Sequence, residues 1–365
     1  MKVAAIGVGG AGGRIVDELA RENKSRSVSY LTTAQVLDTE FEDLSALTTI
    51  PDDACHNFGH LETHGTGTDG NRTSGIAAIK EDLQEVRREI ESAIPSETTA
   101  IFVVAGLGGG TGSGATSHLV QALREIFEIP LYAVSVLPAG NESIPPENTA
   151  RGLKTVSEVV DAQIVFDNDN WIGRDDTISE NTAELNRVLA ERLGTLFAAG
   201  EAETASAVGE RVIDASEIIA TLDRSGFATL GYAQQDLQPD SADQTGSLLK
   251  TVRERLFGGE NDTVDEVKAI KAVETTLRRA VKGKLTLECD LPAVETGLLI
   301  VSGPSEWLHG DAIADGRAWL SEEIESAELR SGDAPLQTES QLMILVLLAG
   351  ISAHPRIEDL QAVKE

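Results

Sequence analysis

Cysteines, long hydrophobic runs and basic residues are all scarce in this chain. Its 365 residues include two cysteines, Cys55 and Cys289, which are too few for a disulfide framework and suit a reducing compartment. The longest apolar runs, 101–105 and 343–349, have the length of strands, so we expect no membrane span. Glycines and then Arg14 interrupt the apolar N-terminal stretch, so we predict no export signal and a cytoplasmic location.

Acidic residues outnumber basic residues two to one. The chain has 30 Lys and Arg against 60 Asp and Glu, a net charge of −30, and the acids are spread along the whole sequence. Such a surface repels nucleic acids and anionic membranes, so neither is an expected partner. A dispersed acidic excess is also typical of halophiles, whose roughly molar salt shortens the Debye length to about 3 Å. The alternative is an ordinary acidic bacterial protein.

The first half of the chain alternates short apolar runs with amphipathic helical patterns, such as the helix predicted over 73–94. The apolar runs are residues 3–6, 28–31, 100–105, 131–136 and 163–166. This alternation predicts an α/β fold with a parallel sheet covered by helices. Ligands in such a fold bind at the carboxyl ends of the strands.

The length of the chain is sufficient for two packed domains. We predict a Rossmann-like parallel-sheet domain over 1–178, a long central helix over 179–204 and a second, α+β domain over 205–365. Strands predicted at 296–301 and 341–348 belong to the second domain.

The densest chemical signal is a glycine-rich loop between the strand predicted at 100–105 and a helix predicted over 115–127, with six glycines in the nine residues 106–114. Glycine lets the backbone approach an anion closely, and the amides of a helix start can then hold phosphate without a lysine. Thr111 and Ser113 can add hydroxyl donors. No Walker-type lysine pattern occurs, so a cation is expected to offset phosphate charge. A turn that merely permits tight helix packing is the alternative, which the entropic cost of glycine disfavours.

Two further glycine loops precede predicted helices. The loop at 7–13 matches Gly-x-Gly-x-x-Gly, which by itself also suits an NAD-dependent oxidoreductase. That alternative requires an acid at the end of the second strand, whereas the strand predicted here stops at Thr33 and Asp38 comes only later. The loop at 65–70 offers amides and hydroxyls to a terminal phosphate. Three such loops at one sheet edge favour a nucleoside triphosphate over a dinucleotide.

The sequence Gly-Gly-Gly-Thr-Gly-Ser-Gly at 108–114 resembles the phosphate loop of the tubulin and FtsZ superfamily of GTPases, a highly specific motif. The similarity continues in order at 9–14, 65–71, 137–148, 166–169, 185–186 and 212–217. Within the superfamily the chain looks most like the CetZ group of archaea, tubulin-like proteins linked to cell shape. The resemblance implies a GTP- and GDP-binding protein of a halophilic archaeon, with Mg²⁺ as the cation, that assembles with itself into protofilaments.

The resemblance also implies which residues contact the nucleotide. Asn168 and Asn186 are expected to hold guanine, because an amide offers both the donor and the acceptor that this base needs. Glu142 aligns with an acid that binds ribose. The phosphate contacts implied are Gly9, Gly10, Ala11, Gly12, Arg14, Thr68, Asp69, Gly108, Gly109, Gly110, Thr111, Gly112, Ser113 and Gly114. Alternatively, Asn168 is a turn residue and Asn186 a solvent-facing helix position. Thr182 departs from the family pattern, since relatives carry an aromatic residue there.

Asp214 and Glu217 are the acids that the resemblance implies for hydrolysis, presented to the nucleotide of the neighbouring subunit. A carboxylate near the terminal phosphate can orient the attacking water. The pattern Asp-x-x-Glu before an apolar helix is equally a capping box, so the residues alone leave both interpretations open. Hydrolysis completed by a second subunit would require assembly. A nucleotide-binding regulator that never polymerises is the remaining alternative.

Four possible metal ligands occur within ten residues, namely Cys55, His56, His60 and His64. The histidine spacing would align on a helix, as a zinc site requires. A glycine and an asparagine between them argue against that helix, so we predict no metal site made of side chains alone.

Overall fold

The computed structural model describes residues 1–142, 144–173, 178–201, 213–224, 226–237, 266–325, 328–335, 340–352 and 354–362. The strands in these ranges are β1 (Val3–Val8), β2 (Leu31–Asp38), β3 (Cys55–Asn57), β4 (Ala100–Gly106), β5 (Leu131–Leu137), β6 (Ala162–Asp167), β7 (Phe227–Asp236), β8 (Thr296–Gly303), β9 (Glu328–Pro335) and β10 (Gln341–Ile351). The α-helices are α1 (Gly9–Ser25), α2 (Phe41–Ser45), α3 (His60–Thr63), α4 (Arg72–Ala93), α5 (Gly110–Arg124), α6 (Pro146–Ser157), α7 (Ile178–Ala199), α8 (Ala215–Leu222), α9 (Glu266–Lys282), α10 (Gly310–Glu323) and α11 (Pro355–Gln361).

All ten strands belong to one sheet in the order β3-β2-β1-β4-β5-β6-β7-β10-β8-β9. Neighbours from β3 to β7 run parallel, β10 is antiparallel to both β7 and β8, and β8 is parallel to β9. The order of the first six strands is that of a doubly wound nucleotide-binding sheet. The predicted fold class is therefore confirmed: a Rossmann-like parallel sheet, a long helix and an α+β second part. Within the described ranges, two residue pairs join β6 to β7, namely Gln163 with Phe227 and Ile164 with Ala228.

The central strands are apolar because helices cover both faces of the sheet. On one face α4, α5 and α6 contribute buried side chains such as Ile79, Leu119 and Leu153. On the other face α1 and α7 contribute Leu19 and Leu193. This two-sided packing fixes the carboxyl ends of β1, β4, β5 and β6 along a single edge.

The predicted position of the second strand is wrong. The structure places β2 at Leu31–Asp38 and pairs it in parallel with β1, whereas the predicted strand has its apolar run at 28–31 and stops at Thr33. The first four residues of β2 are half-buried and include Thr32 and Thr33, so the strand lacks the apolar run that marks its neighbours. Asp38 consequently ends β2, at the position where the oxidoreductase alternative requires an acid. The argument from a missing acid against that alternative therefore fails.

Helix α7 runs the height of the sheet. It follows β6 at the carboxyl edge, and its last turn lies at the amino edge, where the Met1 amino group donates to the carbonyl of Phe197. Its 22 residues correspond to about 33 Å.

The strands expected at 296–301 and 341–348 are β8 and β10, whereas β7 and β9 were not predicted. None of the helices that the structure describes combines the length and apolarity of a membrane span.

Candidate functional site

A cleft of about 400 Å³ lies at the carboxyl ends of the parallel strands. The predicted residues that line it are Gly9, Gly10, Ala11, Arg14, Thr68, Asp69, Gly108, Gly109, Gly110, Thr111, Gly112, Glu142 and Asn168. Four predicted residues are not part of this lining: Gly12, Ser113, Gly114 and Asn186. The three glycine loops therefore meet at one edge, as the sequence predicts.

The glycines of these loops serve two different purposes. Helix α5 begins at Gly110, five residues earlier than predicted, because glycines pack it against neighbouring backbone. A Cβ on Gly112 would lie 2.3 Å from the Gly106 carbonyl oxygen, and a Cβ on Gly114 would lie 2.6 Å from that of Arg72. Around Gly109, by contrast, a Cβ would meet no atom of the described residues within 4 Å. Tight packing thus accounts for the glycines inside α5, and Gly109 faces the open cleft.

Gly12 has a packing role as well. A Cβ on Gly12 would lie 2.2 Å from the carbonyl oxygen of Val104 in β4, so this glycine lets α1 sit directly on the sheet. Gly10 lies on the cleft side beneath the Asp43 carboxylate. The first amides of α1 therefore face the cleft.

Thr111 is the centre of a hydroxyl cluster at the phosphate loops. Its Oγ1 lies 2.8 Å from Thr39 Oγ1 and 3.3 Å from Thr68 Oγ1, which joins three segments of the chain. The Ser113 hydroxyl is fully buried and donates to the Gly109 carbonyl at 2.5 Å. The structure therefore directs the Thr111 side chain to the cleft and the Ser113 side chain into the helix.

Acidic side chains that the sequence analysis did not select also line this end of the cleft: Asp38, Glu40 and Asp43. Arg14 is the only basic residue among the described residues of the lining, and it pairs with Asp43 at 3.0 Å. Asp38 is 3% exposed. Its Oδ1 accepts from the Thr39 amide at 2.7 Å, whereas its buried Oδ2 has no hydrogen-bond partner in the part of the chain that the structure describes. Burial, reinforced by the Asp43 charge, raises the pKa of Asp38 to about 7.

Asn168 and Glu142 meet at the other end of the cleft. Asn168 is buried at the start of the 3₁₀ turn Asn168–Asn170, and its Nδ2 lies 3.5 Å from Glu142 Oε1. The same Glu142 oxygen accepts from the Ala139 amide at 2.6 Å. Asn168 is thus both a turn residue and a cleft residue. Asn186 is half-buried on α7 and outside the lining.

Asn148 is a further residue of the site that the sequence analysis left unassigned. Its Nδ2 donates to the carbonyls of Gly70 at 2.7 Å and Gly108 at 3.0 Å. One amide therefore ties the third glycine loop to the main phosphate loop. Its place at the end of segment 137–148, which resembles the superfamily, was the available signal, but its partners Gly70 and Gly108 are distant in sequence.

Asp214 and Glu217 lie at the opposite edge of the sheet. Asp214 is the N-cap of α8, and its Oδ1 accepts from the Ser216 amide at 2.8 Å and the Glu217 amide at 3.2 Å. A hydrogen bond from the Ser216 hydroxyl lowers the pKa of Asp214. A Cβ on Gly200 would lie 3.0 Å from the Met1 nitrogen and 3.1 Å from that of Ala215, which places α8 beside the amino end of β1.

This placement separates the two acids from the cleft of the same chain. The six residues of β1 span about 20 Å between the two edges. A carboxylate at the start of α8 therefore cannot contact a phosphate held at the carboxyl edge of its own sheet.

The histidine-rich segment does not gather around a common point. His56 contacts Gln35 at 2.7 Å and Glu89 at 2.9 Å, while the rings of His60 and His64 lie 6.3 Å apart. No group of three His, Cys, Asp or Glu side chains among the described residues is arranged to hold a metal ion.

Two protein-family models together match nearly the whole chain. Residues 2–175 match the model of the tubulin/FtsZ family GTPase domain, and residues 175–365 match that of the tubulin-like CetZ C-terminal domain. The tubulin-like protein CetZ5 of Haloferax volcanii is 37% identical, over 99% of this chain and 91% of that protein.

Two solved structures superpose on most of the chain. GDP-bound monomeric CetZ1 from Haloferax volcanii superposes with a TM-score of 0.85 and 32% identity, covering 99% of this chain and 98% of that one. CetZ2 from the same organism, in a GTPγS-bound protofilament, gives 0.83 and 31%, covering 99% and 96%.

Proposed function

This chain belongs to the CetZ group of the tubulin/FtsZ superfamily, and we propose that its cleft binds GTP and that a second copy completes the site for hydrolysis. It is a tubulin-like cytoskeletal GTPase. The proposal rests on what lies at the two opposite edges of the sheet. The cleft, lined by the glycine loops, lies at the carboxyl edge, and Asp214 and Glu217 lie at the amino edge.

We assign the phosphates to the amides at the starts of α1 and α5 and to the third loop. Helix N-termini suit this role because their unpaired N–H groups and the helix dipole both favour anions. Open space beside Gly109 permits close approach, and the Thr111 hydroxyl adds a donor. The full proposed set is Gly9, Gly10, Ala11, Gly12, Arg14, Thr68, Asp69, Gly108, Gly109, Gly110, Thr111, Gly112, Ser113 and Gly114, in which Gly12, Ser113 and Gly114 lie outside the lining and shape the starts of the two helices.

We assign the guanine base and the ribose to the end of the cleft that Asn168 and Glu142 form. Their side chains contact each other, so the donor and acceptor groups that a purine nucleoside needs are already assembled. Asn186, on the helix that follows, is the second proposed base contact.

Mg²⁺ is the proposed cation, and the residues present fit it. The acids Asp38, Glu40 and Asp69 line the phosphate end, and Asp38 Oδ2 is a buried oxygen without a partner. Mg²⁺ prefers oxygen ligands and commonly takes one or two carboxylates together with phosphates and water. When bound, it would offset the charge of the phosphates, which the single arginine of the lining cannot neutralise.

Hydrolysis in this proposal needs a head-to-tail contact. Asp214 and Glu217 of one copy meet the cleft of the next and orient the water that attacks the terminal phosphate. A contact of this heterologous type, if it does not close into a ring, propagates into a filament. The Asp214 cap is compatible with this role because the bonds to the α8 amides hold the carboxylate in a fixed position.

GTP turnover per subunit, measured across protein concentrations in concentrated KCl, tests this arrangement. Catalysis by a neighbouring copy predicts a steep rise with concentration, whereas a regulator that never polymerises predicts a constant rate.

Glu217→Ala should abolish turnover and leave GTP binding intact. The control Glu274→Ala removes an exposed glutamate that pairs only within α9, so it should change neither. Full turnover by Glu217→Ala would refute the assigned role.

The match to the tubulin/FtsZ GTPase family disfavours the NAD-dependent oxidoreductase, although Asp38 ends β2 where that alternative requires an acid. Equilibrium binding of labelled GTP and NAD to the purified protein in high salt separates the two. Tight NAD binding without GTP binding would end the GTPase proposal.

We further propose a cytoplasmic protein that controls cell shape and has itself as its main partner, with no role for nucleic acids. The proposed division is a GTP-binding domain over 1–178, a central helix over 179–204 and an activation domain over 205–365. Helix α7 itself ends at Ala199, and residues 202–204 lie outside the described residues.

A further inference from the structure

The C-terminal helix α11 returns from the second half of the chain to the nucleotide-binding half. It follows β10, whose neighbours are β7 and β8, and it packs against α6. Ile357 and Leu360 anchor it, being 3% and 5% exposed within the same core cluster as Leu153 of α6. The first turn of α11 therefore has a fixed position beside the loops that follow β5 and β6.

Arg356, in that first turn, contacts both loops. Its Nη2 donates to the Pro138 carbonyl at 2.9 Å and lies 3.3 Å from Asp169 Oδ2. Its Nε lies 3.5 Å from Asp167 Oδ2. The His354 side chain caps the helix by accepting from the Arg356 amide at 3.1 Å, which orients the backbone that carries the guanidinium.

These contacts surround the proposed base-binding residues. Asn168 lies between the two aspartates that Arg356 pairs with, and Glu142 belongs to the loop that starts at Pro138. Asp169 Oδ1 also accepts from the Gly140 amide at 2.6 Å, so the two loops are joined directly as well as through the arginine.

The charges explain why an arginine is needed here. Asp167 is 2% exposed, and Asp169 and Glu142 lie on the same two loops. Burial raises the pKa of Asp167 to about 6, and the nearby Arg356 opposes that rise. Among the described residues, Arg356 is the only cation that forms an ion pair with either aspartate. Without it, the buried carboxylate would lose its only counter-charge, and the turn that carries Asn168 would relax.

We propose that Arg356 is a positioning residue for base recognition: it clamps the loops of Pro138 and Asp167–Asp169 together so that Asn168 and Glu142 keep their relative placement. The inference rests on the proposed function, since it assumes that guanine binds at this end. It makes discrimination between bases depend on the C-terminal helix, which belongs to the other half of the chain. Planar, multidentate pairing is specific to arginine, so lysine should substitute only in part.

The test compares GTP, ITP and ATP binding by wild type, Arg356→Ala and Arg356→Lys in concentrated KCl. Arg356→Ala should reduce the preference for GTP over ATP at least about tenfold, mainly through weaker GTP binding, while ATP affinity stays unchanged because the phosphate loops are untouched. The preference for GTP over ITP should fall in the same direction. Arg356→Lys should recover part of the loss.

The matched control is Arg224→Ala, which removes another arginine that pairs across elements, here with Glu328 at 2.9 Å, far from the cleft. It should leave both preferences at the wild-type value. Asp169→Asn serves if Arg356→Ala does not fold, because it keeps the shape and weakens one ion pair; it should reduce the GTP preference by a smaller factor.

The inference would be overturned if Arg356→Ala kept the wild-type preference for GTP over ATP and ITP. If Arg356→Ala does not fold, the same result in Asp169→Asn would overturn it. Either result would leave the proposed function standing. A wild-type protein that does not prefer GTP would overturn both.

Discussion

Gly109→Ala separates the binding role of the phosphate loop from its packing role. Gly109 is the N-cap of α5 with φ −76°, which alanine adopts without strain, and a Cβ there meets nothing within 4 Å. We therefore expect the free energy of unfolding to change by no more than about 0.5 kcal/mol. The added methyl group would nevertheless occupy the space through which a phosphate reaches the first amides of α5.

The expected loss of affinity follows from the contacts that the methyl group prevents. A hydrogen bond to a charged group contributes about 1.5–3 kcal/mol. Losing one amide–phosphate bond of this kind weakens GTP binding about 10- to 150-fold. The assay is thermal unfolding without nucleotide, followed by equilibrium GTP binding, both in concentrated KCl.

Gly112→Ala is the matched control in the same loop. Its Cβ would lie 2.3 Å from the Gly106 carbonyl oxygen, so the chain must move, and overpacking of this kind costs about 1–3 kcal/mol. We expect Gly112→Ala to lower the midpoint of thermal unfolding and Gly109→Ala to leave it in place. Wild-type GTP affinity in Gly109→Ala would refute the idea that phosphate approaches the start of α5.

Two further variants test hydrogen bonds that join distant segments, one at the cleft (Asn148) and one on α1 (Asp17). Asn148→Ala removes the amide that ties Gly70 to Gly108, so GTP binding should weaken about 5- to 10-fold, and isothermal calorimetry measures it. Burial opposes ionisation of Asp17, but hydrogen bonds from the Ile50, Thr49 and Thr48 amides and the Thr48 hydroxyl lower its pKa overall. That stabilisation is complete above the unfolded pKa of about 3.9 and is lost as the pH falls through the lower folded pKa. Asp17→Asn lacks this carboxylate, so its free energy of unfolding, measured with urea, should fall less steeply at acid pH than that of wild type.

The fold was predictable where both faces of a strand are buried. β4, β5 and β6 are continuous apolar runs because helices cover them on each side, and the sequence analysis located each within one or two residues. β2 was misplaced because its first half is polar and half-buried. The start of α5 was misplaced because the glycines that suggest a loop are there to let two helices touch.

The phosphate loops of the cleft were predictable because the spacing of glycines in the sequence marks where the backbone can approach an anion. Asp38 was not selected because the strand that it ends was misplaced. Glu40 and Asp43 were not selected because only the folding of the chain around α2 brings them to the cleft. Arg356 was missed for a related reason. It reaches Asp167 across 189 positions of sequence, and no local pattern records such a contact.

Mixing two impaired variants tests the central claim most directly, at a GTP concentration well below the dissociation constant of Gly109→Ala. Gly109→Ala keeps its acids, but its cleft is then mostly empty, whereas Glu217→Ala keeps its cleft but lacks the acid. If each cleft is completed by the next copy, a random head-to-tail mixture should regain turnover at about a quarter of its contacts, although Glu217→Ala alone turns over no GTP and Gly109→Ala alone turns over little. A mixture as inactive as its two components would contradict the account.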